Sequence, residues 1–211
     1  PDFNQNNELI VVGSRTRGIS IYDGAVWKTL DVENSAIGSN RINALFVDAQ
    51  RRVWVGTDSG LFRLNGNLEV EASFSENNSG IGSNDIAALA GDSSATVWTG
   101  LASRGASAYT AANTDLPWIW YRTDTSSIPS NTIRDVFIQD VGQNRVWFAT
   151  AAGAAQFDGG SNSWQILTVT SGLASNDVNA VVIGDDGMLW FGTNGFGVSS
   201  TPSGLVGSWT T

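Results

Sequence analysis

The chain has 211 residues, with 11 Lys or Arg against 20 Asp or Glu, so its formal net charge at pH 7 is −9. It contains neither Cys nor His, which excludes disulfides, thiol and imidazole catalysis, and metal sites built on those ligands. The negative charge disfavours nucleic acid as a partner, because there is no surplus of cations to neutralise phosphates. No apolar run reaches the ~18 residues of a transmembrane helix, so we expect no membrane insertion.

One segment pattern occurs four times along the chain. It begins with Ser-Asn, continues with apolar residues and ends at Asp, and its copies start at Ser39, Ser83, Ser130 and Ser175. Each copy is followed by an apolar segment that contains Trp, by a segment that begins after Gly, and by a fourth segment. A fifth copy at the N-terminus lacks its first half, so residues 1–4 are interpreted as the end of an opening strand, with Phe3 equivalent to Phe46.

The repeated segments are short, rich in β-branched and aromatic residues, and bounded by Gly, Asn, Asp or Ser, which predicts strands. Asp-Gly and Asn-Gly steps, which favour hairpin turns, occur at residues 23–24, 65–66, 158–159 and 186–187. Sustained helical periodicity is absent, so we expect essentially no helix. Since a lone sheet cannot bury both of its faces, the Trp residues are expected to pack between neighbouring sheets.

Four antiparallel strands in each repeat of ~45 residues are typical of a propeller blade. The prediction is an all-β protein, a single five-bladed β-propeller of four-stranded antiparallel blades. The domain spans residues 1–211, with blades at about 1–38, 39–82, 83–129, 130–174 and 175–211. The seam between the last and first blades is expected to be the weak point, and its completion by another chain stays open.

The motif Ser-Asn-x-Ile-x-x-Leu-x-x-Asp, followed by Trp-x-Gly-Thr and Gly-Leu, resembles the two-component regulator propeller repeat. That repeat is typical of periplasmic sensor regions of bacterial hybrid histidine kinases, so the resemblance implies an extracellular or periplasmic location. Two features depart from it: the sensors carry many more repeats, and two copies here read Thr99-Gly100-Leu101 and Ala149-Thr150 instead of Gly-Thr.

We therefore expect a non-enzymatic module that binds or senses a small molecule, a glycan or a protein, without a cofactor, a metal or catalytic residues. One alternative is a structural protein that self-associates into a larger ring or filament, which an apolar patch at Phe3, Leu205 and Val206 would favour. A lesser alternative is a lectin-like glycan-binding propeller. Catalysis by paired carboxylates is disfavoured, because Asp85 and Asp177 fall in blades that are not neighbours.

Loops at one face of a propeller are expected to carry the binding site. Four Asn residues would surround the channel mouth, either to bind a ligand or to hold the backbone at the turn into each inner strand: Asn40, Asn84, Asn131 and Asn176. Candidates that differ between the repeats are Arg41, Asp85, Arg104, Asp177 and Phe196.

Trp118 has no counterpart in the other repeats. It is interpreted either as an exposed aromatic for a sugar or partner protein, or as a residue packed beneath its own loop.

Overall fold

A computed structural model describes residues 9–92, 96–110, 118–139 and 145–202 of the chain. These residues form eighteen β-strands and one three-residue 3₁₀ helix, which confirms the all-β prediction. The strands are β1 Ile10–Gly13, β2 Ile19–Tyr22, β3 Trp27–Leu30, β4 Ile42–Val47, β5 Val53–Thr57, β6 Leu61–Leu64, β7 Val70–Phe74, β8 Ile86–Gly91, β9 Thr96–Leu101, β10 Ala106–Thr110, β11 Trp118–Tyr121, β12 Ile133–Gln139, β13 Arg145–Thr150, β14 Gly153–Asp158, β15 Ser163–Leu167, β16 Val178–Ile183, β17 Met188–Thr193 and β18 Val198–Pro202, and the helix is Val169–Ser171.

The strands pair into five antiparallel sheets in chain order: β1–β3, β4–β7, β8–β11, β12–β15 and β16–β18. The three middle sheets have four strands each, as predicted. The opening strand predicted at residues 1–4, with Phe3, lies outside the described residues, and so do Leu205, Val206 and Trp209.

The chain divides into two compact units, Pro1–Ile86 and Ala87–Thr211. Unit 1 holds the first two sheets, and unit 2 holds the other three apart from the first residue of β8.

The hairpin turns form where the sequence predicts them, because aspartate carboxylates accept the backbone N–H groups of the turn. Asp23 Oδ1 accepts from Ala25 and Val26, and Asp158 Oδ1 accepts from Gly160 and Ser161, at 2.9–3.1 Å. At the first of these turns Gly24 has φ 95°, a conformation that is strained for residues with a Cβ. Turn chemistry therefore determines the register of these strand pairs.

Apolar clusters lie between consecutive sheets within each unit. In unit 1, Ile19 and Ile21 of the first sheet share a cluster with Val55 and Phe62 of the second. In unit 2, one cluster joins the third and fourth sheets and includes Trp98 and Phe148. A second cluster joins the fourth and fifth sheets, where the rings of Trp147 and Phe191 meet edge to face with centroids 5.7 Å apart. Each sheet thus removes apolar surface from water by packing on its neighbour.

The small residue after the repeated Trp segment is explained by close packing between sheets. A Cβ on Gly13 would lie 2.6 Å from Ile42 Cγ2, and a Cβ on Gly100 would lie 2.6 Å from Ile133 Cγ2. At the equivalent position between the fourth and fifth sheets, Ala149 packs in one cluster with Val178, a smaller residue than Ile. The extra methyl group of Ala149 is therefore accommodated because the residue facing it, Val178, has one methylene group fewer than Ile.

The expectation that the Trp residues pack between sheets is only partly correct. Trp54, Trp98 and Trp147 are buried, whereas Trp27, Trp120 and Trp190 are exposed. Trp120 lies on a last strand of its sheet, and its ring contacts the guanidinium of Arg122 at 5.1 Å. Trp27 and Trp190 are exposed for a different reason. They lie on the first and fifth sheets, each on the face that points away from the neighbouring sheet.

Candidate functional site

The repeated Ser-Asn pair holds the backbone before each first strand of a repeat. In every copy the Ser hydroxyl oxygen accepts the N–H of the residue two positions on, at 3.0–3.2 Å. The Asn Oδ1 accepts an N–H from the loop eight or seven residues earlier, at 2.8–3.0 Å: Asn40 from Val32, Asn84 from Glu76, Asn131 from Thr123 and Asn176 from Val169. Of the two interpretations of these Asn residues, the structure favours the backbone role.

Three of these four Asn residues also connect consecutive sheets through their carbonyl oxygens. Asn40 accepts the N–H of Gly18, Asn131 that of Gly105 and Asn176 that of Gly153, at 2.6–2.9 Å. A Cβ on Gly18 or Gly105 would lie about 2.1–2.2 Å from a carbonyl oxygen, so only glycine fits there. Since these Asn residues make the same contacts in several repeats, their role is structural. A ligand site must therefore be sought among the residues that differ between repeats.

A polar cluster that differs from the other repeats forms in unit 2 around Asp177. Asp177 precedes β16 and forms an ion pair with Arg134 of β12. Its Oδ2 accepts from Nδ2 of Asn194, in the β17–β18 loop, at 2.8 Å. Arg134 Nη1 also donates to Asn179 Oδ1 at 2.8 Å. Three separate segments therefore hold one carboxylate at the loop end of two sheets.

The electrostatics of this cluster keep Asp177 ionised. The hydrogen bond from Asn194 and then that from Arg134, with its charge, lower the pKa of Asp177 below its ordinary value. The side chains of Arg134 and Asp177 are about one-third exposed. Arg134 occupies the bulge at the start of β12, where the ladder skips from Ile133 to Asp135.

Phe196 lies in the same loop as Asn194, two residues further on. Its side chain is 70% exposed. Gly195 and Gly197 flank it with φ of 83° and 79°, and nothing lies within 4 Å of where their Cβ atoms would be. The loop thus presents an aromatic ring to solvent two residues after Asn194. We call Arg134, Asp177, Asn194 and Phe196 the Asp177 cluster.

The other predicted candidates are distributed over both units. Arg41 and Asp85 are exposed in unit 1, where Asp85 Oδ1 lies 3.5 Å from Nδ2 of Asn43, a side chain that also donates to the Ile86 carbonyl at 3.1 Å. Arg104 is exposed in the β9–β10 loop of unit 2. Of the predicted residues, two belong to the Asp177 cluster: Asp177 itself, and Phe196 through the loop that also carries Asn194.

Trp118 is not an exposed aromatic. Only 7% of it is accessible, and its ring packs against Tyr109 with centroids 5.2 Å apart. Of its two interpretations, the structure therefore favours packing over a sugar platform, since a ring that stacks on a sugar must have one face open to the ligand. Packing within its sheet is what the structure supports.

Sequence reasoning missed Asp135, which also breaks the symmetry of the repeats. The equivalent positions carry Ala44, Ala88 and Ala180. Asp135 Oδ2 accepts the N–H of Val181 in the fifth sheet, and Oδ1 accepts that of Val136, both at 2.9 Å. Burial raises the pKa of Asp135 although these two bonds oppose the rise. Alignment of the four repeats would have found this carboxylate, which joins two sheets.

Unit 1 contains a groove of about 550 Å³ among the turns at the opposite end of the strands from the Ser-Asn pairs. Lys28, the only lysine in the chain, lines it together with Asp23, Arg51 and Leu68. Arg51 and Leu68 both have φ of 62°, in the left-handed region. These two residues close hairpin turns, and the groove follows from the spacing of those turns.

Two stretches of the chain, residues 36–59 and 172–195, match the two component regulator propeller family. These two stretches are therefore similar to repeats of that family, as the motifs suggest. No curated protein sequence matches the chain.

Solved structures with the same fold include extracellular domains from B. thetaiotaomicron. The extracellular domain of the hybrid two component system BT3049 is 22% identical, with TM-score 0.75 over 90% of this chain and 25% of that one. The extracellular domain of the one component system BT4673 is 20% identical, with TM-score 0.75 over 97% of this chain and 26% of that one. This chain spans about a quarter of the length of either.

The fold also occurs in an enzyme. Virginiamycin B lyase from Staphylococcus aureus is 12% identical, with TM-score 0.62 over 99% of this chain and 70% of that one. At such identities the likeness extends to the fold alone, so function has to be argued from the site.

Among the described residues, no helix has the length and apolarity needed to cross a bilayer. In the same part of the chain, no three Asp or Glu side chains group as ligands for a metal ion.

Proposed function

We propose that this chain is a non-enzymatic binding or sensing module that acts outside the bacterial cytoplasm, in the periplasm or beyond it. Its five sheets are five consecutive blades of a β-propeller, with the blade boundaries given above. The matched repeats and the extracellular domains that share the fold support this assignment. The ligand binds to the loop end of the blades, where side chains differ between repeats.

The Asp177 cluster is the proposed binding site. The observation that carries the proposal is an exposed Phe196 in the same loop as Asn194, which donates to the ionised carboxylate of Asp177. Arg134 and Asn194 can donate hydrogen bonds, the Asp177 carboxylate holds both of them in place, and the Phe196 ring can stack on an apolar ring face. This combination fits a small polar ring compound, with a sugar as the first candidate. A glycan ligand is favoured specifically by the aromatic ring, which an inorganic ion would not need.

A binding role agrees better with this site than catalysis does. Hydrolysis of a glycosidic bond requires two carboxyl groups ~5–10 Å apart, of which one has a raised pKa and can reach the substrate. Asp177 has a lowered pKa and an ion pair. Asp135 has a raised pKa, but both its oxygens accept backbone N–H groups, so it is committed to the connection between sheets.

The test is a glycan array, followed by calorimetric titration with the best sugar, on the wild type and three variants. We expect Phe196→Ala and Asp177→Asn each to weaken binding at least tenfold. Val26→Ala, which removes another exposed apolar side chain in a hairpin of unit 1, is the control and should bind as the wild type does. Equal binding by all four proteins, or no binding to any glycan, would reject the site as proposed.

A further inference from the structure

The fifth sheet has an exposed apolar face. In the ladder, Val182 lies opposite Trp190, and Val198 lies opposite Gly192, which is two residues beyond Trp190 on the same face. Trp190 is 42% exposed, and Val182 and Val198 are exposed to a similar extent. We call Val182, Trp190 and Val198 the open face of the fifth sheet.

The fourth sheet shows how such a face is covered elsewhere in unit 2. In the repeat, Trp147 and Ala154 occupy the positions of Trp190 and Val198. Both are fully buried, because the fifth sheet packs over them and places Phe191 against the Trp147 ring. The open face of the fifth sheet therefore has the composition of an interface that carries a neighbouring sheet.

The first sheet also has an exposed apolar face, and it is the face that in other repeats packs against the preceding sheet. Ile19 and Ile21 point into the cluster with the second sheet, so Val12 and Trp27 lie on the other side. Val12 is 50% exposed and Trp27 57%. In the repeat, Val12 takes the position of Phe191, the residue that covers Trp147. We call Val12, Tyr22 and Trp27 the open face of the first sheet.

We propose that a second copy of this chain binds here, head to tail, so that the first sheet of one copy covers the fifth sheet of the other. Trp190 then takes the place of Trp147, and Val12 of the second copy takes the place of Phe191. This contact would repeat the one that the chain already makes between its fourth and fifth sheets. For that reason we expect the exposed face of the fifth sheet to be covered by another propeller blade. It is heterologous, since two different faces meet.

This inference goes beyond the proposed ligand site, because it concerns sheet faces and leaves the loops free. Association is driven by burial of the exposed Val and Trp side chains. Monomeric proteins seldom leave such clusters of apolar side chains in water. Each copy carries a net charge of −9, so the copies repel one another at low ionic strength. Association is therefore expected to strengthen with added salt, the reverse of an interface held by ion pairs.

The test is the mass of the intact chain in solution, by analytical ultracentrifugation over a range of protein concentrations. The wild type is expected to form species larger than one chain. Trp190→Glu and Val12→Glu should each abolish these species, because either change removes one of the two faces that every contact needs. Trp120→Glu is the matched control, because Trp120 is also 42% exposed but lies outside both open faces, and it should associate like the wild type.

Mixing the two face variants gives the sharper result. Trp190→Glu chains keep an intact first sheet and Val12→Glu chains keep an intact fifth sheet, so an equimolar mixture should form one-to-one dimers while each variant alone stays monomeric. Circular dichroism checks that both variants are folded. A wild type that is monomeric at every concentration, a mixture that does not pair, or an equal loss in Trp120→Glu would overturn the proposal.

Discussion

Two phenylalanines that lie five residues apart allow the packing between the fourth and fifth sheets to be tested. One lies in strand β17 and the other in the loop that follows it. Phe191 is fully buried against Trp147 in the cluster between the fourth and fifth sheets, whereas Phe196 is mostly exposed in the loop that follows. The perturbation is Phe→Ala at each position. The chemistry of the change is identical, so any difference in stability reports on the surroundings.

The expected magnitudes differ by several kcal/mol. Truncation of a buried Phe costs about 3–5 kcal/mol through lost transfer free energy and the cavity that remains. The edge-to-face contact with Trp147 at 5.7 Å places Phe191 within that range, at about 4 kcal/mol. Truncation of exposed Phe196 is expected to change the free energy of unfolding by no more than about 0.5 kcal/mol.

The assay is urea denaturation followed by Trp fluorescence, with the free energy of unfolding extrapolated to water for the wild type and both variants. Phe196→Ala serves as the control for loss of an aromatic ring without loss of packing. If Phe191→Ala costs less than about 1 kcal/mol, the fourth and fifth sheets do not share a close-packed interface and the reasoning fails.

Three further predictions concern stability. Burial opposes ionisation of Asp48, but hydrogen bonds from Trp54 Nε1 and from Arg52 outweigh it and lower the pKa of Asp48; Asp48→Asn should therefore lose about 2 kcal/mol at pH 7, and urea titrations should show its deficit to the wild type shrinking once the pH falls below about 4. Asn131→Ala removes an acceptor for the Thr123 N–H and a donor to its hydroxyl, so thermal unfolding should report a loss of about 1 kcal/mol with ligand binding unchanged. Arg51 has a φ of 62°, which is strained for a residue with a Cβ, so Arg51→Gly should raise the free energy of unfolding by about 0.5–1 kcal/mol in the same assay. Arg41→Gly is the control, because Arg41 is exposed and does not have a positive φ, and it should show no such gain.

Repetition explains why so much of the fold was predictable. Four copies of one pattern average out the local ambiguity of short strands, and the Asp-Gly and Asn-Gly steps mark turns through their own hydrogen bonds. Even the Gly of the Trp segment has a reason that repeats, namely the Ile side chain of the following sheet. The seam between the last and first blades was expected to be the weak point, but a repeat pattern does not say which side chains of the first and fifth sheets are exposed.

The site was harder to predict because it depends on contacts between distant segments. Asp177 and Phe196 were among the candidates as residues that differ between repeats, yet Arg134 and Asn194 reach Asp177 from other strands and loops. Trp118 was judged to lack counterparts, but the ladders provide them. It lies opposite Tyr109, as Trp27 lies opposite Tyr22 and Trp164 opposite Phe157. Asp135 was overlooked although it stands where the other repeats have Ala.

The most direct test of the account is whether rings on consecutive sheets touch in solution. Nuclear Overhauser effects should be measured in a sample with labelled Trp and Phe side chains. The account predicts cross-peaks between Trp147 and Phe191 and between Trp98 and Phe148, whose ring centroids are 5.7 and 5.8 Å apart. Absence of both cross-peaks in the folded protein would contradict the packing of the sheets as successive propeller blades.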